Sequence, residues 1–206
     1  SPPKRENKPR EENALSVEDI TSTTVDGKKA FKNINFLIKQ GEIVGIAGVE
    51  GNGQRELAES ILGVFPIEKG KITLNDQEIN LLNTRERREF GISFIPEDRQ
   101  SQGLLMDVSL SENMILGRQS TSAYKSKYSN IIYSQANQDS QLVIENYDVR
   151  TPGNKTLALA LSGGNQQKFV VGRELEDNPK LLIASQPTRG IDIGAQSLIW
   201  NKLRDA

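Results

Sequence analysis

Apolar positions along the chain change period several times, and the changes outline its elements. From Val17 to Leu37 short apolar runs flank Val25-Asp26-Gly27, the pattern of antiparallel strands joined by a turn. Gly41-Glu42 leads into Ile43-Val44-Gly45-Ile46-Ala47, which by composition predicts a short buried strand. A glycine loop follows from Gly48 to Gly53. Beyond it Leu57, Ile61 and Leu62 share one helical face, with Gly63 placed to cap the end. Lys71 to Leu74 and Glu78-Ile79 predict a hairpin around Asn75-Asp76. Gly91 to Ile95 reads as another apolar strand, ended by Pro96.

Residues 98–160 change character. Gln119 to Asp139 is rich in Ser, Gln, Asn, Tyr and Lys, with Ile131 and Ile132 as the strong apolar pair. The pattern predicts a peripheral helical lobe with a mobile polar segment; a disordered insertion is the other open reading. From Gly164 a helix buries Phe169, Val170 and Leu175 and ends near Asn178-Pro179. Leu181-Leu182-Ile183-Ala184 is a fully apolar strand of the parallel-sheet type. It runs into Ser185-Gln186-Pro187-Thr188 and Arg189-Gly190-Ile191-Asp192. Ala195, Leu198, Ile199 and Lys202-Leu203 space a last helix. No internal repeat is visible.

At 206 residues the chain can bury a core as one domain, or as a domain with a lobe. A net charge of -1 and a mean hydropathy of -0.52 leave no basic field for nucleic acid. No apolar run is long enough to cross a bilayer as a helix, and the first residues do not read as a signal peptide. The absence of cysteine excludes disulfides and thiolate metal sites and fits a reducing compartment. The absence of histidine matters more, because an imidazole base or switch would have to come from outside this chain. Residues 1–14, opening on Ser1-Pro2-Pro3-Lys4-Arg5, read as a linker or as an ordinary frayed terminus. Both ends look cut, so a piece of a longer protein is expected.

Two stretches carry chemistry. Leu161-Ser162-Gly163-Gly164-Asn165-Gln166-Gln167-Lys168 feeds a helix and offers a hydroxyl, backbone N–H groups and a helix N-terminus to one anion. Gly48-Val49-Glu50-Gly51-Asn52-Gly53-Gln54-Arg55 has the glycine spacing of a phosphate-binding loop between strand and helix. Gln54 stands where such loops carry lysine, and Arg55 where they carry serine or threonine.

Over roughly residues 15–206 the chain resembles an ATP-binding cassette of an ABC transporter, on the strength of three motifs. These are the Leu161–Gln167 signature, the Gly48–Gly53 loop, and Pro187-Thr188-Arg189-Gly190-Ile191-Asp192 at the expected distance. Gly51-Asn52-Gly53-Gln54, Ile95-Pro96-Glu97-Asp98-Arg99 and Asn165-Gln166-Gln167 look narrower still. They resemble the second cassette of two-cassette importer ATPases for simple sugars and nucleosides, and Ser185-Gln186-Pro187 is closest to the nucleoside branch. The resemblance implies an α/β P-loop NTPase core with a mixed sheet, an antiparallel β subdomain and a helical lobe carrying the signature. It implies a linker at 1–14, a core at 15–97 and 161–206, and a helical subdomain with a polar insertion at 98–160. The core would stop short of the switch histidine, which would lie past Ala206.

The same resemblance implies ATP and Mg²⁺ as cofactors, shared between two cassettes that sandwich each nucleotide between one loop and the opposite signature. In that pattern the departures fall on catalysis. Gln54 replaces the lysine that neutralises phosphate charge, and Arg55 the hydroxyl that reaches Mg²⁺. Ser185 stands for the metal-binding aspartate, Gln186 for the water-polarising glutamate, and Glu97 for a loop glutamine. No aromatic near Thr23 to Val25 is present to stack an adenine. Losing one such group costs about 10²–10³ in rate, and several lost together are not additive. The expectation is a degenerate half that lends Ser162, Gly163 and Gly164 to a companion cassette of the same polypeptide. Weak, metal-free nucleotide binding through Arg55 stays open. Asp192 reads both as a helix N-cap and as a residue reaching the opposing cassette. Glu97-Asp98 reads as a solvated pair or as part of a docking loop. The implied partners are transmembrane permease subunits and, indirectly, an extracellular substrate-binding protein, at the cytoplasmic face of the plasma membrane. Three rivals remain: a cassette acting on ribosomes or DNA, a structural or regulatory dimerisation cassette, and a self-sufficient ATPase.

Overall fold

The computed structural model describes residues 10–23, 29–128 and 130–206. The expected turn at Val25-Asp26-Gly27 and most of the expected linker lie outside them. The chain divides into two compact units, Ser1–Phe90 and Gly91–Ala206.

In the first unit, β1 (Asn13–Thr23) lies between β2 (Lys29–Lys39) and β3 (Lys69–Leu74), and β4 (Gln77–Glu78) extends the sheet beyond β3, all antiparallel. Leu15, Val17, Ile20, Ile72 and Leu74 are buried in or beside its centre. Strand alternation breaks between Val17 and Ile20, where Asp19 takes φ 48° and its N–H bonds Asn35 Oδ1 at 2.8 Å. The predicted hairpin is present, with Asn75 and Asp76 both at positive φ in its turn.

Helix α1 (Gln54–Leu62) follows the glycine loop, buries Leu57, Ile61 and Leu62 as predicted, and ends on Gly63 at φ 82°. Helix α2 (Thr84–Phe90) was not anticipated, because its sequence is charged at nearly every position. It is held by Arg87, whose buried guanidinium donates to the carbonyls of Ser60, Ile61, Leu82 and Asn80 at 2.7–3.2 Å. Two of these carbonyls end α1, so a cation stands where the helix dipole is negative.

Ile43–Ala47 corrects the sequence reading. These residues pair with no described strand, and Ile43, Val44 and Ile46 are 53, 42 and 58% exposed. Apolar composition asks for burial, but a strand of this kind is made by its neighbours on both sides.

In the second unit, β5 (Ile92–Ile95) and β6 (Leu181–Ala184) pair in parallel. Around them pack α3 (Leu110–Ile115), α4 (Tyr133–Asn146), α5 (Gly163–Leu175) and α6 (Ile193–Asp205). Phe169, Val170, Leu110, Met114, Val143 and Ile199 centre the core. Every residue of α5 from Gln166 to Leu175 is buried, polar ones included. Its charges are therefore paired inside: Arg173 Nε donates to Glu174 Oε1 at 3.0 Å, and Glu174 Oε2 accepts the Phe94 N–H at 3.3 Å.

Part of the polar segment is helical, as the expected lobe implied. From Tyr133 onward it is α4, which turns Ala136, Ser140, Val143 and Ile144 inward at helical spacing. Ile131 is no anchor, being 40% exposed beside an isolated bridge to Lys125.

Candidate functional site

The glycine loop belongs to the first unit. A turn closes it, with the Asn52 N–H bonded to Val49 O at 3.3 Å, and Gly53 then takes φ 91° to start α1. A Cβ on Gly53 would strike the Ala30 carbonyl, so this position requires glycine twice over. No side chain caps the α1 N-terminus. The Gln54 carboxamide instead folds back over Gly48, occupying the space a Cβ there would take. Arg55 turns along its own helix, with Nε 2.7 Å from Glu59 Oε1.

The signature belongs to the second unit. Ser162 is the N-cap of α5, and its Oγ accepts the Asn165 N–H at 3.4 Å and Asn165 Nδ2 at 3.1 Å. Asn165 Oδ1 takes the Arg150 N–H at 3.0 Å. Gln166 Nε2 donates to Ala158 O at 3.1 Å and Gln167 Nε2 to Pro187 O at 2.8 Å. Leu161 is buried just before the cap. Asn165, Gln166 and Gln167 thus brace the turn, leaving Ser162, Gly163 and Gly164 at the helix start. The Arg99 guanidinium stands where a Cβ on Gly163 would sit, and Asp192 Oδ2 lies 3.2 Å from where a Cβ on Gly164 would be.

The loop after β6 is held by side chains from the loop after β5. Ser185 N–H bonds Ile95 O at 2.9 Å. Gln186, at φ 48°, donates through Nε2 to Glu97 Oε1 at 2.9 Å, and Arg189 pairs with the same oxygen. Arg99 Nη1 donates to Arg189 O at 3.2 Å. Asp98 caps the following π-helical turn (Arg99–Gly103), accepting Ser101 Oγ at 2.7 Å and the Gln100 N–H at 3.0 Å. Those bonds, the Ser101 hydroxyl foremost, hold its carboxyl below the usual range. Asp192 caps α6 through Ala195 N–H at 2.9 Å, the main reason its carboxyl is also lowered. The N-cap reading of Asp192 is therefore realised. Glu97 and Asp98 are both engaged, and neither is a merely solvated carboxylate.

Sequence reasoning missed three residues here. Arg99 and Arg189 lie inside the quoted motifs, but their partners are about ninety positions away. Lys168, buried, donates to Asp148 O and Oδ2, each at 2.8 Å, and anchors the signature helix from behind. A lysine on an otherwise buried helix face was the available signal.

Residues 31–189 match the family described as ABC transporter. The chain belongs to the ABC transporter ATP-binding family. Over 202 residues it is 45% identical to the guanosine import ATP-binding protein NupO of Bacillus subtilis, covering 93% of this chain and 38% of that protein. It is 38% identical over 195 residues to the nucleoside import ATP-binding protein NupA of Lactococcus lactis, covering 93% of this chain and 38% of that protein. The galactose/methyl galactoside import ATP-binding protein MglA of Clostridium tetani is 37% identical, covering 98% and 39%. The chain thus spans well under half the length of these relatives. A nucleotide-free ATP-binding cassette from an ABC transporter superposes with TM-score 0.78 at 22% identity, covering 94% of this chain and 76% of that one. The fold is therefore that of an ABC ATPase cassette, a P-loop NTPase with an antiparallel sheet and a helical lobe. No helix among the described residues is long and apolar enough to cross a membrane.

Proposed function

We propose that this chain is the degenerate second cassette of an importer ATPase, whose part is to complete the nucleotide site of a companion cassette. The observation that carries the reading is the contrast between its two phosphate devices. The signature turn is braced by five side-chain bonds and leaves Ser162 with two glycine N–H groups at a helix N-terminus. That arrangement fits the terminal phosphate of a nucleotide held elsewhere.

The glycine loop does not fit Mg²⁺·ATP. A hard dication takes carboxylate, hydroxyl or carbonyl oxygens, and the loop turns an amide back over Gly48 while Arg55 is tied to Glu59. A neutral amide bond contributes about 1 kcal/mol against roughly 1.5–3 for a charged one, so phosphate affinity falls with Gln54. Ser185 and Gln186 bring no carboxylate after β6. The opposite reading, a self-sufficient ATPase, needs a base and a metal ligand that these positions lack.

The cassette would work with a companion in the same polypeptide and with permease subunits at the cytoplasmic face of the membrane, fed by a substrate-binding protein. The cargo is a nucleoside or simple sugar, and the 45% identity to a guanosine import protein favours the nucleoside. Calorimetric titration with ATP and Mg²⁺, alongside phosphate release, tests the degenerate site. Absence of both is expected, and micromolar Mg²⁺-dependent binding would overturn the reading. Ser162→Ala in the full-length protein should abolish ATP hydrolysis; full activity there would end the proposed role of the signature.

A further inference from the structure

The family pattern has a glutamine in the loop after β5 and a glutamate after β6. This chain has the reverse, Glu97 and Gln186, and the structure brings the two together at 2.9 Å. Against that pattern the carboxylate here stands in the loop after β5 and the carboxamide in the loop after β6.

Several bonds converge on this pair. Glu97 Oε1 accepts from both Gln186 Nε2 and Arg189. Arg189 N–H closes a turn onto Gln186 O at 3.0 Å, and Arg189 O takes Arg99 Nη1 at 3.2 Å. Pro187 O takes Gln167 Nε2 from the signature helix at 2.8 Å. Gln186 itself sits at φ 48°, a conformation a side chain of this kind keeps only when its surroundings over-determine it. The loop so held ends on Asp192, against Gly164, while Arg99 lies against Gly163.

We infer that Glu97 is a positioning residue. Its carboxylate holds Gln186 and Arg189 so that residues 187–192 and the Ser162–Gly164 turn form one preset face. The inference rests on the signature serving a companion cassette, and adds which residue sets its geometry. Glu97 and Arg189 are both solvent-accessible, so the pair acts through placement of the loop more than through overall stability.

A double exchange tests it in the full-length importer ATPase assembled with its membrane subunits. Glu97→Gln takes the charge from Arg189. Gln186→Glu sets two carboxylates at hydrogen-bond distance, where they cannot both ionise comfortably. The combined variant restores one carboxylate and one amide in the family's own order. Each single change should raise KM for ATP roughly three- to thirty-fold with a smaller effect on kcat, and the combined variant should regain most of the loss. Hydrogen exchange at Arg189 and Gly190 should quicken in each single variant and slow again in the double. Recovery in the double supports the inference. Singles indistinguishable from the parent protein, or a double at least as impaired as the worse single, would overturn it. Ser162→Ala, run in parallel, separates the two claims. If it leaves hydrolysis intact the signature reading fails, while hydrogen exchange still reports whether Glu97 and Gln186 are coupled.

Discussion

The carboxylate of Asp192 stands over Gly164, so close that a Cβ on the glycine would come within 3.2 Å of Oδ2. The same side chain caps α6 through Oδ1, so one aspartate joins the start of α6 to the start of α5. Gly164→Ala therefore pushes a methyl group against that cap and disturbs the turn that carries Ser162. Stability should fall by less than about 1 kcal/mol. ATP hydrolysis by the assembled transporter should fall by about ten-fold or more. Thermal unfolding and phosphate release, measured on the same variant, check both halves.

Arg87 is the polar anchor of the first unit. Its guanidinium is buried, which lowers its pKa from the ordinary arginine value, yet it meets four carbonyls. Arg87→Ala takes the side-chain donor from the Ile61, Leu82 and Asn80 carbonyls, while Ser60 O keeps the Gly63 N–H, and should destabilise the chain by about 2–4 kcal/mol. Arg87→Lys, a point charge without the planar fork, should fall between. Denaturant unfolding of the three proteins gives the order; an alanine variant as stable as the parent would remove the anchor.

The parts of the fold that showed in the sequence are those with local causes. Gly53, Gly63 and the Asn75-Asp76 turn announce themselves because backbone geometry demands particular residues there. The buried stripe of α1 shows because helical spacing repeats within a few residues. Asp192 was legible as a cap for the same reason. Three features were not legible. Ile43–Ala47 looked like a core strand because composition cannot reveal whether a neighbouring strand is present. Helix α2 was invisible because its stability comes from Arg87 reaching residues up to 27 positions away. The Glu97 cluster was hidden likewise: Glu97, Gln186 and Arg189 were each noted in motifs, but only folding shows that one carboxylate serves the other two.

Gly172 shows how tightly the signature helix is seated. A Cβ there would lie 2.6 Å from Val143 Cγ1 and 2.8 Å from Tyr147 Cδ2. In an open helix Gly→Ala stabilises by roughly 1 kcal/mol. Here overpacking opposes that gain and should win, giving a net loss of about 1–2 kcal/mol. The displaced α5 carries Ser162 at its start, so loss of hydrolysis should accompany loss of stability. A Gly172→Ala protein with a raised Tm would show that α4 and its following turn yield more easily than the contacts imply.

Acid should weaken the second unit. Three aspartates are held below the ordinary carboxyl range: Asp148 chiefly by Lys168, Asp98 by the Ser101 hydroxyl, and Asp192 by the Ala195 N–H. Each binds its proton more weakly when folded than when unfolded, where the pKa is about 3.9. Their stabilisation is therefore complete above that value and is lost as pH falls through the lower folded values. Tm should be insensitive to these groups between about pH 5 and 7 and should decline below about pH 4. Asp192→Asn isolates one contribution, because asparagine keeps the cap geometry without a titrating proton. Its acid decline should be shallower than that of the parent chain. An identical decline would mean that Asp192 does not titrate with unfolding, and that its hold on Ala195 is geometric only.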